Sequence, residues 1–287
     1  MKIDLHIHSK NSDGSFTVEK IIQIAKLRHI SMLSITDHDS IICQQKASSI
    51  AKENGIRYLS GVELNVTFIS SQNNGEKSIS LDFLGYNFDP DNSQLYNKLQ
   101  QIAKYRQKRA EKILKKLNIE FRKKQIKELT KDDLANIQHS VDGIFGRPHI
   151  ADYLVKKDIV RNRNEAFDRY LVECNVPKYP LFLKEASRLV RNAGGKIMLA
   201  HPNDPHGTSL LKLSSLLDIQ TEIITDSFLP FIDGIECWHS RNDVKTTNHY
   251  VNYSKKHGLF MTGGSDCHQN PLLIGTVKVP SYVAKQF

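Results

Sequence analysis

The stretch KIDLHIH, residues 2–8, alternates polar and apolar side chains and therefore predicts a strand. His6 and His8 are two positions apart, so both imidazoles project from the same face of that strand. Two adjacent imidazoles are costly to bury unless they share a proton, a metal ion or solvent. We interpret the pair as metal ligands at a strand end, with a structural role as the alternative. Asp13 follows in a Ser-Asp-Gly turn; such an Asp is usually only a turn former, but this one lies just past His8.

The other clusters of metal-capable side chains also fall where strands are predicted to end. They are Thr36-Asp37-His38-Asp39, Gly61-Val62-Glu63, Ala200-His201-Pro202 and Gly264-Ser265-Asp266-Cys267-His268. Asp39 best fits the N-cap of the following helix, which leaves Asp37 and His38 for a site. Residues this far apart meet only if their strands are parallel and share one face, where barrel folds carry their active sites. A ring of imidazoles and carboxylates favours Mn²⁺, Fe²⁺ or Zn²⁺ in catalytic use, with Cys267 pointing away from it.

Strand and helix signals alternate in the two end portions of the chain but not in the middle. Strands are predicted at 2–8, 31–36, 57–68, 79–86, 196–200, 234–238 and 259–262, and helices after Thr17 and at about 40–54, 93–117, 131–138, 147–157, 163–172, 181–193, 209–217 and 243–256. A polar turn at 71–75 separates the third and fourth strands. The β-α-β order predicts a parallel sheet with right-handed crossovers. We therefore predict an α/β protein in which 1–90 and 181–287 form one barrel-like unit and 91–180 form an inserted helical subdomain.

The net charge of +9 is concentrated in the middle of the chain. Residues 98–131 carry thirteen Lys or Arg and three acids, Glu111, Glu120 and Glu128. Such a block attracts polyanions and can steer them to a nearby site, although a solvated helix face has the same composition.

The four cysteines, Cys43, Cys174, Cys237 and Cys267, are scattered and form no CxxC pair. This usage suits small core thiols in a reducing compartment, so we expect a cytoplasmic protein. The N-terminus enters a strand directly, without the basic and apolar segments of a signal peptide. Because no run of about 18 apolar residues occurs, we expect no membrane span.

The motifs HxHxxxSDG, TDHD, GVE, AHP and GSDxH occur in that order from residue 1 to about 280, and together they resemble the PHP (polymerase and histidinol phosphatase) family. The stretches Leu84-Gly85-Tyr86 and Gly146-Arg147-Pro148-His149-Ile150-Ala151 and the helical insertion are similar to its small stand-alone phosphoesterases. Some of these act on 3′,5′-nucleoside bisphosphates, and others trim short RNA from its 5′ end. The resemblance implies a distorted (β/α)7 barrel, with the insertion as a lid over the active site.

The resemblance also implies two or three divalent ions, Mn²⁺, Fe²⁺ or Zn²⁺. The implied ligand sets are His6, His8, Glu63 and Asp266 for the first ion, Glu63, His201 and one further residue for the second, and Asp13, His38 and His268 for the third. The further residue is often His in the family, whereas Asp82 stands there in this chain. This departure bears on the metal preference or affinity of the second ion.

The implied reaction is hydrolysis of a phosphate ester by a metal-activated water. Arg147 would clamp the phosphate with a fork that Lys cannot reproduce. His149 and His239 are candidate substrate contacts, and Asp37 would orient a ligand or take part in proton transfer. We expect a nucleotide or short oligonucleotide as substrate, no membrane and no obligate protein partner. The alternatives are a phosphatase for a non-nucleotide phosphate such as histidinol phosphate, and a non-catalytic metal-binding module.

Overall fold

A computed structural model describes residues 1–70, 77–139, 146–206 and 208–287. The strands are β1 (Lys2–Asp4), β2 (Ile30–Leu33), β3 (Arg57–Tyr58), β4 (Gly61–Ser70), β5 (Lys77–Tyr86), β6 (Lys196–Leu199), β7 (Gly234–His239) and β8 (Phe260–Gly264). The α-helices are α1 (Val18–Leu27), α2 (Gln44–Glu53), α3 (Ser93–Lys123), α4 (Lys131–His139), α5 (Arg147–Lys156), α6 (Arg163–Ala166), α7 (Leu183–Asn192), α8 (Leu217–Ile223) and α9 (Val244–Lys256). The predicted turn at 71–75 lies outside the described residues.

The described strands form two sheets, ordered β1-β2-β3 and β4-β5-β6-β7-β8. Neighbours in the first sheet are parallel, as are β6, β7 and β8, but β5 is antiparallel to both β4 and β6. The prediction of a parallel sheet throughout is therefore wrong for β5. Its physical reason is the short link from β4 to β5, because a parallel pair needs a long crossover connection, usually a helix.

Two isolated parallel bridges connect the sheets, Ile7 with Cys267 and His38 with Glu63. They join the chain just beyond β1 to the chain beyond β8, and the chain beyond β2 to β4. The segments that carry His6 and His8, His38, Glu63, His201 and Asp266 therefore run in one direction, whereas the predicted ligand Asp82 lies on the antiparallel strand β5. The prediction of an α/β fold is confirmed, whereas a closed (β/α)7 barrel is not, because the described strands leave the hydrogen-bonded ladder open.

The observed starts of α1 and α2 test the predicted N-caps of these helices. Thr17 caps α1 as predicted, since its side chain accepts a hydrogen bond from the Lys20 N–H. Asp39 does not cap α2, which begins at Gln44 after Cys43, and that prediction is wrong. Asp39 instead adopts a positive φ of 50° and pairs with Arg106. The helix predicted at about 209–217 is a 3₁₀ turn at Leu210–Lys212, with α8 starting only at Leu217.

The long helix α3 contributes to two hydrophobic cores. Leu95, Leu99 and Ile102 belong to the core that packs on β4–β8, while its part from Ala110 to Phe121 belongs to a core formed within residues 110–176. All four cysteines are unpaired and buried. Within the described ranges, no helix is long and apolar enough to cross a membrane.

Candidate metal centre

Four predicted ligands from three distant parts of the chain converge at one point. The Nε2 atoms of His6 and His8 lie 3.2 Å apart. Asp266 Oδ1 lies 3.4 Å from the first and 3.3 Å from the second, and Glu63 Oε2 lies 3.6 and 3.2 Å from them. All four side chains are buried. The structure therefore brings together the four residues that the family resemblance implies for the first ion.

A second group lies beside the first and shares His8. Asp13 Oδ1 is 3.3 Å from Nε2 of His268 and 3.7 Å from Nδ1 of His8, and Asp13 Oδ2 is 3.8 Å from Nε2 of His38. The rings of His8 and His268 stack with centroids 3.9 Å apart. Ligand atoms of all four residues lie within 4.8 Å of one another, so the set predicted for the third ion also assembles, with His8 added.

Glu63 connects these groups to His201 and Asp82. Its Oε1 atom lies 3.0 Å from Nε2 of His201, while its Oε2 atom lies 2.9 Å from Nδ1 of His38. Asp82 shares a potential site with His38 and Glu63, and it also accepts a hydrogen bond from the Asn65 amide. Asp82 comes from the antiparallel strand β5, inside the sheet and not at a strand end. The two oxygens of Glu63 thus face two different sets of ligand atoms.

The chemistry of this cluster suits cations. Glu63 Oε2 and Asp13 Oδ1 are buried and receive no hydrogen bond from the described residues. Uncompensated buried carboxylate oxygens are costly, and so are imidazole nitrogens that face one another. Divalent cations among oxygen and imidazole atoms would relieve both costs, so the residues fit the implied metals.

The cluster also binds protons strongly in its metal-free form. Burial opposes protonation of His8, but the adjacent carboxylates of Asp266 and Glu63 outweigh it and raise the pKa of His8 to about 10. Burial likewise opposes protonation of His201, yet Glu63 raises its pKa to about 9. The same interactions hold the pKa of Glu63 and of Asp266 well below the usual range, against the effect of burial. Protons and metal ions therefore compete for these imidazoles.

Buried carboxylates behind the cluster fix its orientation. Glu236 Oε1 lies 3.0 Å from Nδ1 of His6, and Glu236 Oε2 accepts a hydrogen bond from the backbone N–H of His201 at 2.8 Å. A carboxylate on the far nitrogen of a ligating histidine sets its tautomer and raises its basicity. Sequence reasoning missed Glu236. The signal was an acid in the apolar strand Gly234–His239.

Asp37 lies under the loop that carries Asp13, and it is fully buried. Its Oδ1 atom accepts hydrogen bonds from Ser9 N–H at 2.8 Å and Ser12 Oγ at 2.7 Å, and its Oδ2 atom accepts one from Ser9 Oγ at 2.7 Å. Asp37 does not line the cavity above the cluster. Of its two predicted roles, these contacts favour orientation of the ligand loop over proton transfer.

The backbone is strained at two of the candidate ligands. His201 has a φ of 23° and Asp266 a φ of 53°, both in the left-handed region that residues other than glycine seldom adopt. Such conformations cost on the order of 1–3 kcal/mol each and cluster at functional sites. The fold therefore stabilises these two turns at the expense of local backbone energy.

The predicted substrate contacts lie in different places. Arg147 lines the cavity over the cluster, with its Nη1 donating to Leu171 O and its guanidinium 5.3 Å from the centre of the Phe167 ring. His149 faces a neighbouring cavity, and its Nδ1 atom accepts a hydrogen bond from the Gly146 N–H. His239 is buried with Nε2 3.4 Å from Asp266 Oδ2, so it contacts the cluster itself.

The cavity over the cluster has a volume of about 420 Å³ and a strongly cationic wall. Besides the candidate ligands, its wall contains six cationic side chains: Arg106, Arg109, Arg147, Lys178, Lys212 and Arg241. Burial, reinforced by Arg147 and Arg106, lowers the pKa of Arg109 to about 10, and burial lowers that of Lys178 to about 8. Sequence reasoning identified only Arg147 individually, because the others come from separate segments and carry no motif.

The cavity wall is also where the basic block of residues 98–131 reaches the site. Only Arg106 and Arg109 of that block line the cavity. Arg241 pairs with Asp204 at 2.5 Å and with Asp266 at 3.3 Å, so it links the cationic wall to the cluster. Asp204 and His239 form a further group of possible ligands with Asp266, but Arg241 already supplies a positive charge there.

The chain is similar to proteins named as a phosphatase, an exoribonuclease and a metal-dependent phosphoesterase over most of its length. It is 27% identical to a 3′,5′-nucleoside bisphosphate phosphatase of Chromobacterium violaceum, over 93% of this chain and 87% of that one. It is 30% identical to a 5′-3′ exoribonuclease of Haemophilus influenzae, over 70% and 69% of the two chains. A solved structure assigned to the metal-dependent phosphoesterases, from Bifidobacterium adolescentis, superposes with a TM-score of 0.80 at 25% identity, covering 99% of this chain and 94% of the other.

The PHP domain profile matches residues 4–176, more than half of the chain. This match agrees with the ordered motifs and with the cluster that they form. The chain belongs to the PHP domain family, and it is a hydrolase of that metal-dependent phosphoesterase class.

Proposed function

We propose that this enzyme hydrolyses phosphate esters of small nucleotides, such as 3′,5′-nucleoside bisphosphates, or of short oligonucleotides. The proposal rests on one observation: the carboxylate–imidazole cluster and six cationic side chains line the same cavity. A substrate with a single phosphate at a metal centre needs fewer positive side chains than the six in this cavity. The cationic wall suits a substrate with a second anionic group, as nucleotide bisphosphates and oligonucleotides have.

The lowered pKa values of Arg109 and Lys178 support an anionic ligand. Positive charges that crowd together out of water lose stability, and a bound phosphate would restore it. Lys178 forms no salt bridge with the residues that the structure describes, and it faces the same cavity as Asp82. Arg147 is held in place by Leu171 and Phe167, and a guanidinium in a fixed position can bind two phosphate oxygens at once.

The candidate metal ligands are those that the family resemblance implies. His6, His8, Glu63 and Asp266 would hold one ion, Glu63, His201 and Asp82 a second, and Asp13, His38 and His268 a third. For the second ion, the structure groups His201 with His6 and Glu63, but it groups Asp82 with His38 and Glu63. Bound metal would supply Lewis acidity toward phosphate oxygens and lower the pKa of water. The chain's own residues would orient the ester: Arg147 and its cationic neighbours bind the phosphates, and Glu236 and Asp37 fix the ligand side chains.

The overall reaction adds water across one phosphorus–oxygen ester bond. The hydroxyl oxygen becomes bonded to phosphorus, and the departing alcohol takes the proton. A nucleoside 3′,5′-bisphosphate would yield inorganic phosphate and a nucleoside monophosphate. We also propose that the enzyme acts in the cytoplasm, since four unpaired buried thiols suit a reducing compartment.

Relative activity on two phosphate esters tests the proposed substrate class. With Mn²⁺-reconstituted enzyme, we expect kcat/KM for adenosine 3′,5′-bisphosphate to exceed that for histidinol phosphate by at least about tenfold, the equivalent of one added charged hydrogen bond. Equal values, or a preference for histidinol phosphate, would overturn the nucleotide assignment and favour the non-nucleotide phosphatase. No hydrolysis of either ester, with fewer than two bound metals by elemental analysis, would favour a non-catalytic module.

A further inference from the structure

A second cavity, with a volume of about 320 Å³, adjoins the metal centre. It meets the first cavity at Asp13, which lines both. This size is within the range of small-ligand sites in proteins, about 300–1,000 Å³. If the substrate were only a mononucleotide bound in the first cavity, the second cavity would have no role in the reaction.

The helix α5 forms the boundary between the two cavities. Gly146, Arg147 and Pro148, at its start, line the first cavity. The same helix contributes four residues to the lining of the second cavity, spaced so that they share one helix face: His149, Asp152, Tyr153 and Lys156. One short helix therefore presents Arg147 to one cavity and Lys156 to the other.

The loop after β1 forms another part of the wall of the second cavity. Lys10, Gly14 and Ser15 line it, on the same loop as Asp13. This loop is fixed to the metal centre, because Ser15 N–H donates to His268 O at 2.6 Å. A Cβ atom on Gly14 would lie 2.3 Å from His8 O, so the loop packs closely on the strand end.

The charges that remain available in the second cavity are positive. Asp152 is neutralised by Arg163, whose Nη2 donates to its Oδ2 at 2.6 Å. Asp13 faces the histidines of the cluster. Lys10 and Lys156 are exposed and form no salt bridge with any described residue. A ligand in this cavity would meet two ammonium groups that form no salt bridge with a described residue, one from the loop after β1 and one from α5.

We infer that this cavity is a second nucleotide subsite, which binds the phosphate next to the scissile linkage in a short oligonucleotide. The inference rests on the proposed function. A ligand that occupies both cavities must pass Asp13 and present anionic groups on both sides of it. A linear chain with a phosphate at each step has this character, whereas a mononucleotide fills the first cavity alone.

Steady-state kinetics at several salt concentrations test the subsite. The substrates are adenosine 3′,5′-bisphosphate and a 5′-phosphorylated tetra-adenylate, and the variants are Lys156→Ala and Lys10→Ala. Lys112→Ala is the matched control, since Lys112 is an exposed lysine of the helical region that lines neither cavity. For each variant we plot log KM against log [KCl].

We expect each test variant to raise KM for the tetranucleotide and to reduce the salt slope by about 0.7, the value for one lost phosphate contact on a single strand. KM for the bisphosphate and the kinetics of Lys112→Ala should match wild type. Equal effects on both substrates, or no effect on either, would overturn the subsite.

Wild-type enzyme also separates the two proposals. Hydrolysis of the bisphosphate but not of the tetranucleotide would overturn the subsite and leave the proposed function intact. Hydrolysis of neither substrate would overturn the proposed function itself.

Discussion

The Nδ1 atom of His6 lies 3.0 Å from the Oε1 atom of Glu236, and both side chains are fully buried. This contact directs the other nitrogen of His6 toward His8, Glu63 and Asp266. The same carboxylate binds the backbone of His201 through its second oxygen. Glu236 thus orients two separate candidate ligands without lining the cavity.

Glu236→Gln should lower metal affinity by roughly ten- to a hundredfold, as loss of a carboxylate behind a ligating histidine does. The substitution keeps the side-chain shape but removes the charge that sets the His6 tautomer. Titration of the metal-free protein with Mn²⁺, followed by calorimetry, measures the change. Glu222→Gln, at an exposed position of α8, is the control. Unchanged metal affinity in Glu236→Gln would show that Glu236 does not support metal binding.

Glu63→Ala should abolish phosphoesterase activity and lower the number of bound metals by at least one. Its two oxygens face different ligand sets, with Oε1 3.0 Å from His201 and Oε2 2.9 Å from His38. Turnover and elemental analysis of the purified variant give the two readouts. Glu53→Ala, at the exposed end of α2, should retain both properties. Near-normal turnover of Glu63→Ala would contradict a bridging role.

Metal should stabilise the protein more as pH rises. In the metal-free protein the pKa values of His8 and His201 are raised to about 10 and 9, so their stabilising contribution is complete below about pH 6.5 and is lost as pH rises through those values. The lowered pKa of Glu63 has the opposite sign, since its contribution is present above about pH 4 and is lost as pH falls. A metal ion must also displace the protons of these imidazoles, and this displacement becomes easier as pH rises.

Melting temperatures with Mn²⁺ and with a chelator, at about pH 6, 7 and 8.5, test this linkage. The difference between the two conditions should widen steadily from the lowest to the highest pH. The difference between the two melting temperatures removes the contribution of groups outside the cluster, because those groups titrate alike in both samples. A difference that stays constant or narrows would contradict proton–metal competition at these histidines.

Arg147→Ala should reduce kcat/KM by roughly ten- to a hundredfold, as expected for the loss of hydrogen bonds to a charged group. Arg147→Lys should recover only part of the loss, because an ammonium cannot bind two phosphate oxygens in a fork. Metal content should match wild type in both variants. Arg188→Ala, at an exposed position of α7, controls for the loss of a positive charge. Full activity of Arg147→Lys would argue for a charge effect alone.

Asp37→Asn should lower the free energy of unfolding by about 1–3 kcal/mol, since buried donors of Ser9 and Ser12 lose a charged acceptor. Urea unfolding measures this change. If Asp37 only orients the Asp13 loop, kcat falls while the pH dependence of kcat keeps its shape. Loss of one limb of that pH profile would instead identify Asp37 as a proton-transfer group.

The sequence predicted the convergence of ligands but not the direction of every strand. His6, His38, His201 and Asp266 follow strands of one direction, so the strand-end argument brought them together. The direction of β5 was missed although the sequence predicted a polar turn at 71–75 and no helix between β4 and β5, which is a hairpin signal. Asp82 reaches the cluster from the middle of this strand, a position that a strand-end argument cannot find.

The cationic wall could not be predicted by the same argument. Arg106, Lys178 and Arg241 lie on three separate segments, and isolated basic residues are indistinguishable from surface charges in a sequence. Asp39 shows the same limit, because its partner Arg106 lies on α3, far away in the sequence. Arg147 was found only because residues 146–151 resemble a stretch of the family's stand-alone phosphoesterases.

The shared helix α3 determines where this protein could be cut or recombined. Leu95, Leu99 and Ile102 complete the core under β4–β8, so deletion of residues 91–180 would leave an apolar face in water as well as remove Arg106 and Arg109. A chimera that exchanges the helical region with a relative would need its first junction after Ile102. The sheet portion is therefore not a self-contained module that evolution or an engineer could recover by simple excision.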